Sequence, residues 1–204
     1  MGRWEPNARG RLEQSALELY LERGFEQTTV AEIAKRAGLT ERTFFRHFAD
    51  KREVLFSSSL QELMVTTLAG VPEAAAPIDA VAAAIEAAGA RLQDRRDIAL
   101  RRQAVIAANA GLQERELIKL ASIAAAMAEA LRERGVGDPA ANLTAEAGIA
   151  VFKTAFECWI NGIGQPELPQ LIREFLDELE TLTAGGNPSP SARRDDAATA
   201  ARSG

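Results

Sequence analysis

Residues 28–56 read TTVAEIAKRAGLTERTFFRHFADKREVLF, and this stretch decides the fold. Thr29 and Glu32 make a T-x-x-E capping box, in which a hydroxyl and a carboxylate each satisfy a backbone N–H that the first helical turn leaves unpaired. Val30, Ile33, Ala34 and Ala37 then recur at helical spacing as one apolar stripe, and Gly38 stops the helix. Thr40 caps a further helix running from Glu41 to Phe48. Phe44 and Phe48 share one side of it with Leu39, and burying each ring, at about 1.5–3 kcal/mol, anchors the helix to a core. Arg42, Thr43, Arg46 and His47 then project away from that core, with Glu41 and Phe45 beside them. Two short helices joined by a glycine-containing turn, the second facing outward with donors, form a helix-turn-helix over residues 28–48. The second helix is slim enough for the major groove of DNA.

Working outward, Leu12, Ala16, Leu19 and Tyr20 give residues 7–23 a buried helical face, which Gly24 closes. On the other side, Asp50 and Glu53 form another capping signal and predict a fourth helix over 51–70, apolar on more than one side. Pro72 and Pro77 bracket a loop. Alanine-rich helices are expected at 78–93, 95–110 and 113–134. Gly135, Gly137, Asp138 and Pro139 break the pattern, with Asp138 as cap and Pro139 in the first helical position. The next helix runs to about residue 163, and Pro166 and Pro169 introduce a last one ending near 183. Residues 185–204, GGNPSPSARRDDAATAARSG, lack large apolar side chains and are expected to be disordered. No run of alternating β-branched residues appears, so the fold class is all-α.

Net charge is −5, which gives no case for nucleic acid in bulk, but its distribution does. Residues 36–52 carry Arg36, Arg42, Arg46, Lys51 and Arg52 against only Glu41 and Asp50, a local basic face on an acidic chain. Arg36 and Arg52 are read as solvated extras, and Arg9 and Arg11 as dispensable for DNA. Cys158 is the single cysteine, so no intrachain disulfide forms; it is expected in buried packing, in a reducing cytoplasm. No apolar leader opens the chain and no uninterrupted apolar run of about 18 residues occurs, so neither secretion nor a membrane span is expected. GxSxG, HExxH, Walker A and GxGxxG are all missing, and His47 and Cys158 lie on different parts of the chain. Neither enzyme chemistry, a metal nor a cofactor is therefore expected.

The whole of TTVAEIAKRAGLTERTFFRHFADKREVLF closely resembles the N-terminal DNA-binding signature of TetR-family regulators, in the threonine pair, the A-G-L turn, the T-F-F-R-H-F helix and the lysine that follows. The resemblance implies an all-helical homodimer of about nine helices per subunit, with a three-helix head and a helical ligand-binding and dimerisation body. The expected organisation is a DNA-binding domain over 1–52, an effector and dimerisation domain over 53–184, and a tail over 185–204. Carried over by position, Thr29 and Lys51 touch phosphate, Thr40 starts the recognition helix, and Arg42, Thr43, Arg46 and His47 lie at the groove. Phe45 stands where the family often has tyrosine; without the hydroxyl it packs against sugar. In the body, Met64, Leu68, Ile106, Met127, Phe152 and Phe156 are candidate lining for a small apolar or aromatic effector, with Gln103 or Asn109 as a polar handle. Gly148, Val151, Ala155, Trp159, Leu171 and Phe175 are candidate dimer contacts. The implied function is a ligand-responsive repressor, cytoplasmic and nucleoid-associated, gripping a palindromic operator of double-stranded DNA through half-sites about 34–36 Å apart or a multiple of that. An activator, a partner-controlled regulator, a nonspecific DNA-coating protein and an all-α enzyme are the alternatives.

Overall fold

The computed structural model describes residues 7–56, 58–162 and 166–185. Among the described residues the chain forms α1 (Ala8–Arg23), α2 (Val30–Arg36), α3 (Glu41–His47), a 3-10 turn (Glu53–Leu55), α4 (Ser59–Gly70), α5 (Pro77–Gln93), α6 (Arg96–Ala107), α7 (Ala110–Glu133), α8 (Ala140–Asn161) and α9 (Leu168–Thr183). The tail expected to be disordered lies outside the described residues, apart from Gly185. No described helix is long and apolar enough to cross a membrane.

Local chemistry accounts for the boundaries. Asn7 caps α1 by accepting the Gly10 N–H, and Gly24, at φ 86°, ends it by donating to the Tyr20 carbonyl. Both arms of the Thr29–Glu32 capping box are formed. Gly38, at φ 66°, lets the chain reverse between α2 and α3, a left-handed conformation that a Cβ strains.

Two expected boundaries change. Asp50 does cap, accepting the Arg52 and Glu53 N–H groups at 2.7 and 3.2 Å, but only one 3-10 turn follows before Ser58 and Ser59 open α4. The single helix expected over 51–70 is therefore two elements, because Glu53 does not complete a box and instead pairs with Arg115. Asp138 likewise caps nothing. It binds Arg132 and accepts from Asn142 Nδ2, and α8 begins one residue after Pro139.

Side chains assemble into two apolar cores. The body core is built from α4, α5, α7, α8 and α9, around Met64, Leu68, Ile85, Met127, Leu131 and Trp159. The head core unites Leu12, Leu19, Ile33 and Phe44 with Val54, Leu55 and Phe56, and takes in Val105, Ile106 and Leu112. This head core thus draws on residues past 52 and on the last turn of α6. Ile106, expected in an effector pocket, is instead part of this head core.

The long helix α8 buries Ala141, Ala145, Gly148, Ile149, Val151, Phe152, Ala155 and Trp159 on one broad face. This corrects the expected dimer face: Gly148, Val151, Ala155 and Trp159 point into their own subunit. The physical reason sits at Gly148, where Val81 of α5 presses against the backbone so closely that a Cβ would run into its Cγ1. Leu171 and Phe175 are half-buried against the same core. Cys158, expected in the interior, is exposed. Gly148→Val is expected to lower stability by roughly 1–3 kcal/mol through overpacking, read as a shifted denaturant midpoint; an unchanged midpoint would contradict the inward placement.

Candidate nucleic-acid interface

The recognition helix owes its position to its buried edge. Phe44 is completely buried, and Phe48 lies tilted against it with ring centres 5.5 Å apart. Arg9 lies over the outer face of Phe48, its guanidinium carbon 5.0 Å from the ring centre. Thr40 caps α3 by accepting the Thr43 N–H at 3.2 Å, and the two hydroxyls lie 3.0 Å apart. With one side fixed in this way, α3 exposes Arg42, Phe45 and Arg46 and leaves Thr43 and His47 half-exposed. Phe45 is 56% exposed.

Ion pairing sorts the basic residues. Arg36 is held by Glu22 at 2.5 and 2.7 Å, Arg52 by Asp50 at 2.7 Å, and Arg23 by Glu32 at 2.8 Å. Arg42 and Arg46 have no carboxylate within ion-pair distance among the described residues, and Arg46 stands 3.5 Å from His47 Nε2. Two guanidinium groups without a carboxylate partner among the described residues therefore share α3. Burial pushes the His47 imidazole below its usual 6.5, and Arg46 and Arg9 reinforce the shift.

Several expected contacts are otherwise engaged. Lys51 donates to the carbonyl oxygens of Phe25, Thr28 and Glu26 at 2.9, 3.1 and 3.3 Å, and sits 4.3 Å from the centre of the Phe25 ring. Its own carbonyl accepts the Tyr20 hydroxyl at 2.6 Å. All three ammonium hydrogens thus have partners in the loop that presents Thr29. Thr29 spends its hydroxyl on Glu32. Arg11 donates to the Ala37 carbonyl, stiffening the turn between α2 and α3. Glu22 is the residue that sequence reading missed: its spacing from Arg36 carries no motif, so only the packing of α1 on α2 reveals that Arg36 is neutralised.

Residues 14–57 match the N-terminal profile of the bacterial regulatory proteins of the tetR family, and residues 75–184 match the MftR C-terminal domain profile. The chain belongs to the TetR family of transcriptional regulators. The HTH-type transcriptional regulator TcmR of Streptomyces glaucescens is 40% identical over 88 residues, which is 42% of this chain and 39% of TcmR. The matched region thus spans about two fifths of that relative. Among solved structures, FadR of Bacillus subtilis in complex with stearoyl-CoA superposes with a TM-score of 0.57 at 20% identity, over 87% of this chain and 99% of the other. The fatty acid degradation regulator FadR of Bacillus halodurans gives 0.56 at 19% identity, over 87% and 96%. Likeness at that identity establishes the fold: a TetR head on a helical body.

Within this TetR-family head the role of Lys51 is open to direct measurement. Lys51→Met is expected to cost about 1–3 kcal/mol of stability, because it deprives three carbonyls of a charged donor. The salt dependence of DNA binding should barely change. A slope reduced by about one unit would show instead that the ammonium leaves the loop to neutralise a phosphate.

Proposed function

We propose that this protein is a ligand-responsive repressor, a homodimer that reads a palindromic operator through α3 and is released by a small effector bound in its body. The observation that carries the DNA-reading part is the pairing pattern of the head. Arg42 and Arg46 stand exposed on α3 with no carboxylate partner among the described residues, while Arg36, Arg52 and Arg23 are neutralised. A guanidinium free of an acid can present its paired donors to guanine O6 and N7, the commonest specific major-groove contact. Thr43 and His47 complete the groove-facing surface, and Phe45 supplies an apolar ring for a thymine methyl or a sugar. Thr29, Thr40 and Lys51 serve the backbone side of the interface, Lys51 mainly by holding the loop that presents Thr29. A working division of the chain follows the cores: residues up to 56 as DNA-binding head and 58–184 as effector and dimerisation body.

Control is supported by the way α6 bridges the two cores. Its last turn contributes Val105 and Ile106 to the head. Arg102, half-buried in the joint, donates to the Leu55 carbonyl at 2.7 Å and pairs with Glu116 of α7 at 3.1 Å; desolvation pushes its guanidinium down, opposed by the Glu116 carboxylate. Its first turn meets α8 through Arg96 and the Trp159 carbonyl. A ligand that shifts α8 or α6 therefore shifts the seat of the head, and it acts to the extent that it binds one arrangement more tightly than the other. Met64, Leu68, Met127, Phe152 and Phe156 share the body core and suit an apolar or amphipathic effector, with the methionines able to repack. FadR of Bacillus subtilis, seen with stearoyl-CoA, is an example of this fold holding such a molecule. Asn109, which donates to the Val105 carbonyl, is an unsuitable handle.

For the dimer we assign the outward side of α8 and α9. Leu143 is 67% exposed and Leu182 50%, with Ala150, Thr154 and Cys158 exposed along α8 between charged residues. The assembly is placed in the cytoplasm with chromosomal DNA as its partner, and no catalytic role is assigned.

Selection of bound genomic fragments by the purified protein identifies the operator. On that operator, Arg42→Ala together with Arg46→Ala is expected to cost roughly 2–6 kcal/mol of affinity, from two base contacts of about 1–3 kcal/mol each, while the melting temperature stays put. Unchanged affinity in a gel-shift titration would refute the assignment. Leu143→Asp with Leu182→Asp should move the protein from dimer to monomer in sedimentation equilibrium at micromolar concentration; a dimer that survives both charges would place the interface elsewhere.

A further inference from the structure

Inside the body two hydrogen-bond donors have no acceptor among the described residues: Nε of Arg96, in the first turn of α6, and Nε1 of Trp159, near the end of α8. Both atoms are cut off from solvent, and the Trp159 side chain is 0% exposed. They are neighbours. One Nη of Arg96 donates to the Trp159 carbonyl at 2.9 Å, and the guanidinium carbon stands 5.6 Å from the centre of the indole ring. Buried donors are nearly always paired in native proteins, since each unpaired one forfeits its hydration without return.

The charge is as telling as the donors. Arg102, on the same helix, is compensated by Glu116. Arg134 spreads its guanidinium over the carbonyls of Val71 and Pro72. Arg96 meets one carbonyl and the indole, with no carboxylate in ion-pair reach among the described residues. A partly buried cation without an anion is unfavourable, and an anion brought to it gains in proportion. From Trp159 the aromatic surface continues back along α8: the Phe156 ring centre is 5.6 Å away, and Phe152 stacks 6.3 Å beyond.

We propose that Arg96 Nε and Trp159 Nε1 form the anchor for a carboxylate at one end of an apolar effector, whose body lies along Phe156 and Phe152. The inference rests on the reading above, that the body takes an effector. A planar carboxylate offers two acceptor oxygens and neutralises the guanidinium. The apolar remainder replaces side-chain contacts in the core. An alcohol or hydrocarbon of equal size supplies the second half of this fit and lacks the first.

The 204-residue chain has two tryptophans, Trp4 and Trp159, so its ¹H–¹⁵N spectrum carries two indole signals, and Trp159→Phe assigns them. Decanoate and 2-naphthoate are titrated beside 1-decanol and 2-methylnaphthalene. The carboxylates should move the Trp159 indole proton downfield and bind at least ten-fold more tightly than their neutral matches. Arg96→Met and Trp159→Phe should each weaken carboxylate binding roughly ten-fold or more, as loss of a hydrogen bond to a charged group requires, and leave the neutral probes within about two-fold. The wild-type titration needs no variant, so misfolding of either substitution leaves the test intact. Equal affinity for acid and neutral probes, an indole proton that does not move, or failure of every carboxylate to bind overturns the proposal. Operator release is followed in the same titrations. Release by a neutral probe with the indole unmoved refutes the anchor and keeps the effector reading. An indole shift without any change in operator affinity keeps the anchor and refutes the effector reading.

Discussion

The burial of Ile106 and Val105 among the residues of the head is the constraint on which the rest of the molecule turns. A three-helix head of this size has little core of its own, and small domains bury a low fraction of their surface. Borrowing two side chains from α6 and Leu112 from α7 completes that core. The cost is independence: the head cannot reorient without dragging or releasing α6. Two polar links tighten the same joint, Arg102 to the Leu55 carbonyl and Arg115 to Glu53 at 2.7 Å. Both reach the 3-10 turn that leads out of the head. What would otherwise be a hinge is therefore a packed seam, and packed seams move between discrete arrangements rather than continuously.

Electrostatics act by subtraction. The head carries many arginines, yet most are spent inside it, on Glu22, Glu32, Asp50 and the Ala37 carbonyl. These pairs are exposed and contribute little stability individually. Their effect is to quiet the flanks and leave α3 with its guanidinium groups unclaimed. Lys51 works in the same manner, fixing the loop before α2 from inside.

Much of this was legible in the sequence because the signals are local. Capping at Thr29 and Thr40, stops at Gly24 and Gly38, and the Phe44–Phe48 edge each depend on residues within a turn or two, and the structure has them all. Non-local facts were not legible. Arg36 finds Glu22 only after α1 and α2 pack. Ile106 reads as body by position and belongs to the head by contact. On α8 the sequence shows two apolar faces, and periodicity does not say which side meets the subunit's own core. Val81 lying against Gly148 answers that, and turns Leu143 and Cys158 outward. The 51–70 segment failed for a different reason: the Asp50 capping signal is genuine, but a cap starts a turn and does not guarantee that the turn propagates.

One measurement tests the central claim, that α3 meets DNA and that α6 carries the consequence into the body. It is amide hydrogen exchange of the 204-residue chain, free and bound to its selected operator. The account predicts slowed exchange in residues 40–48 on binding, with a second slowed segment in 96–107 through the shared core. Unaltered exchange in α3, with protection gathered on some other element, would contradict it.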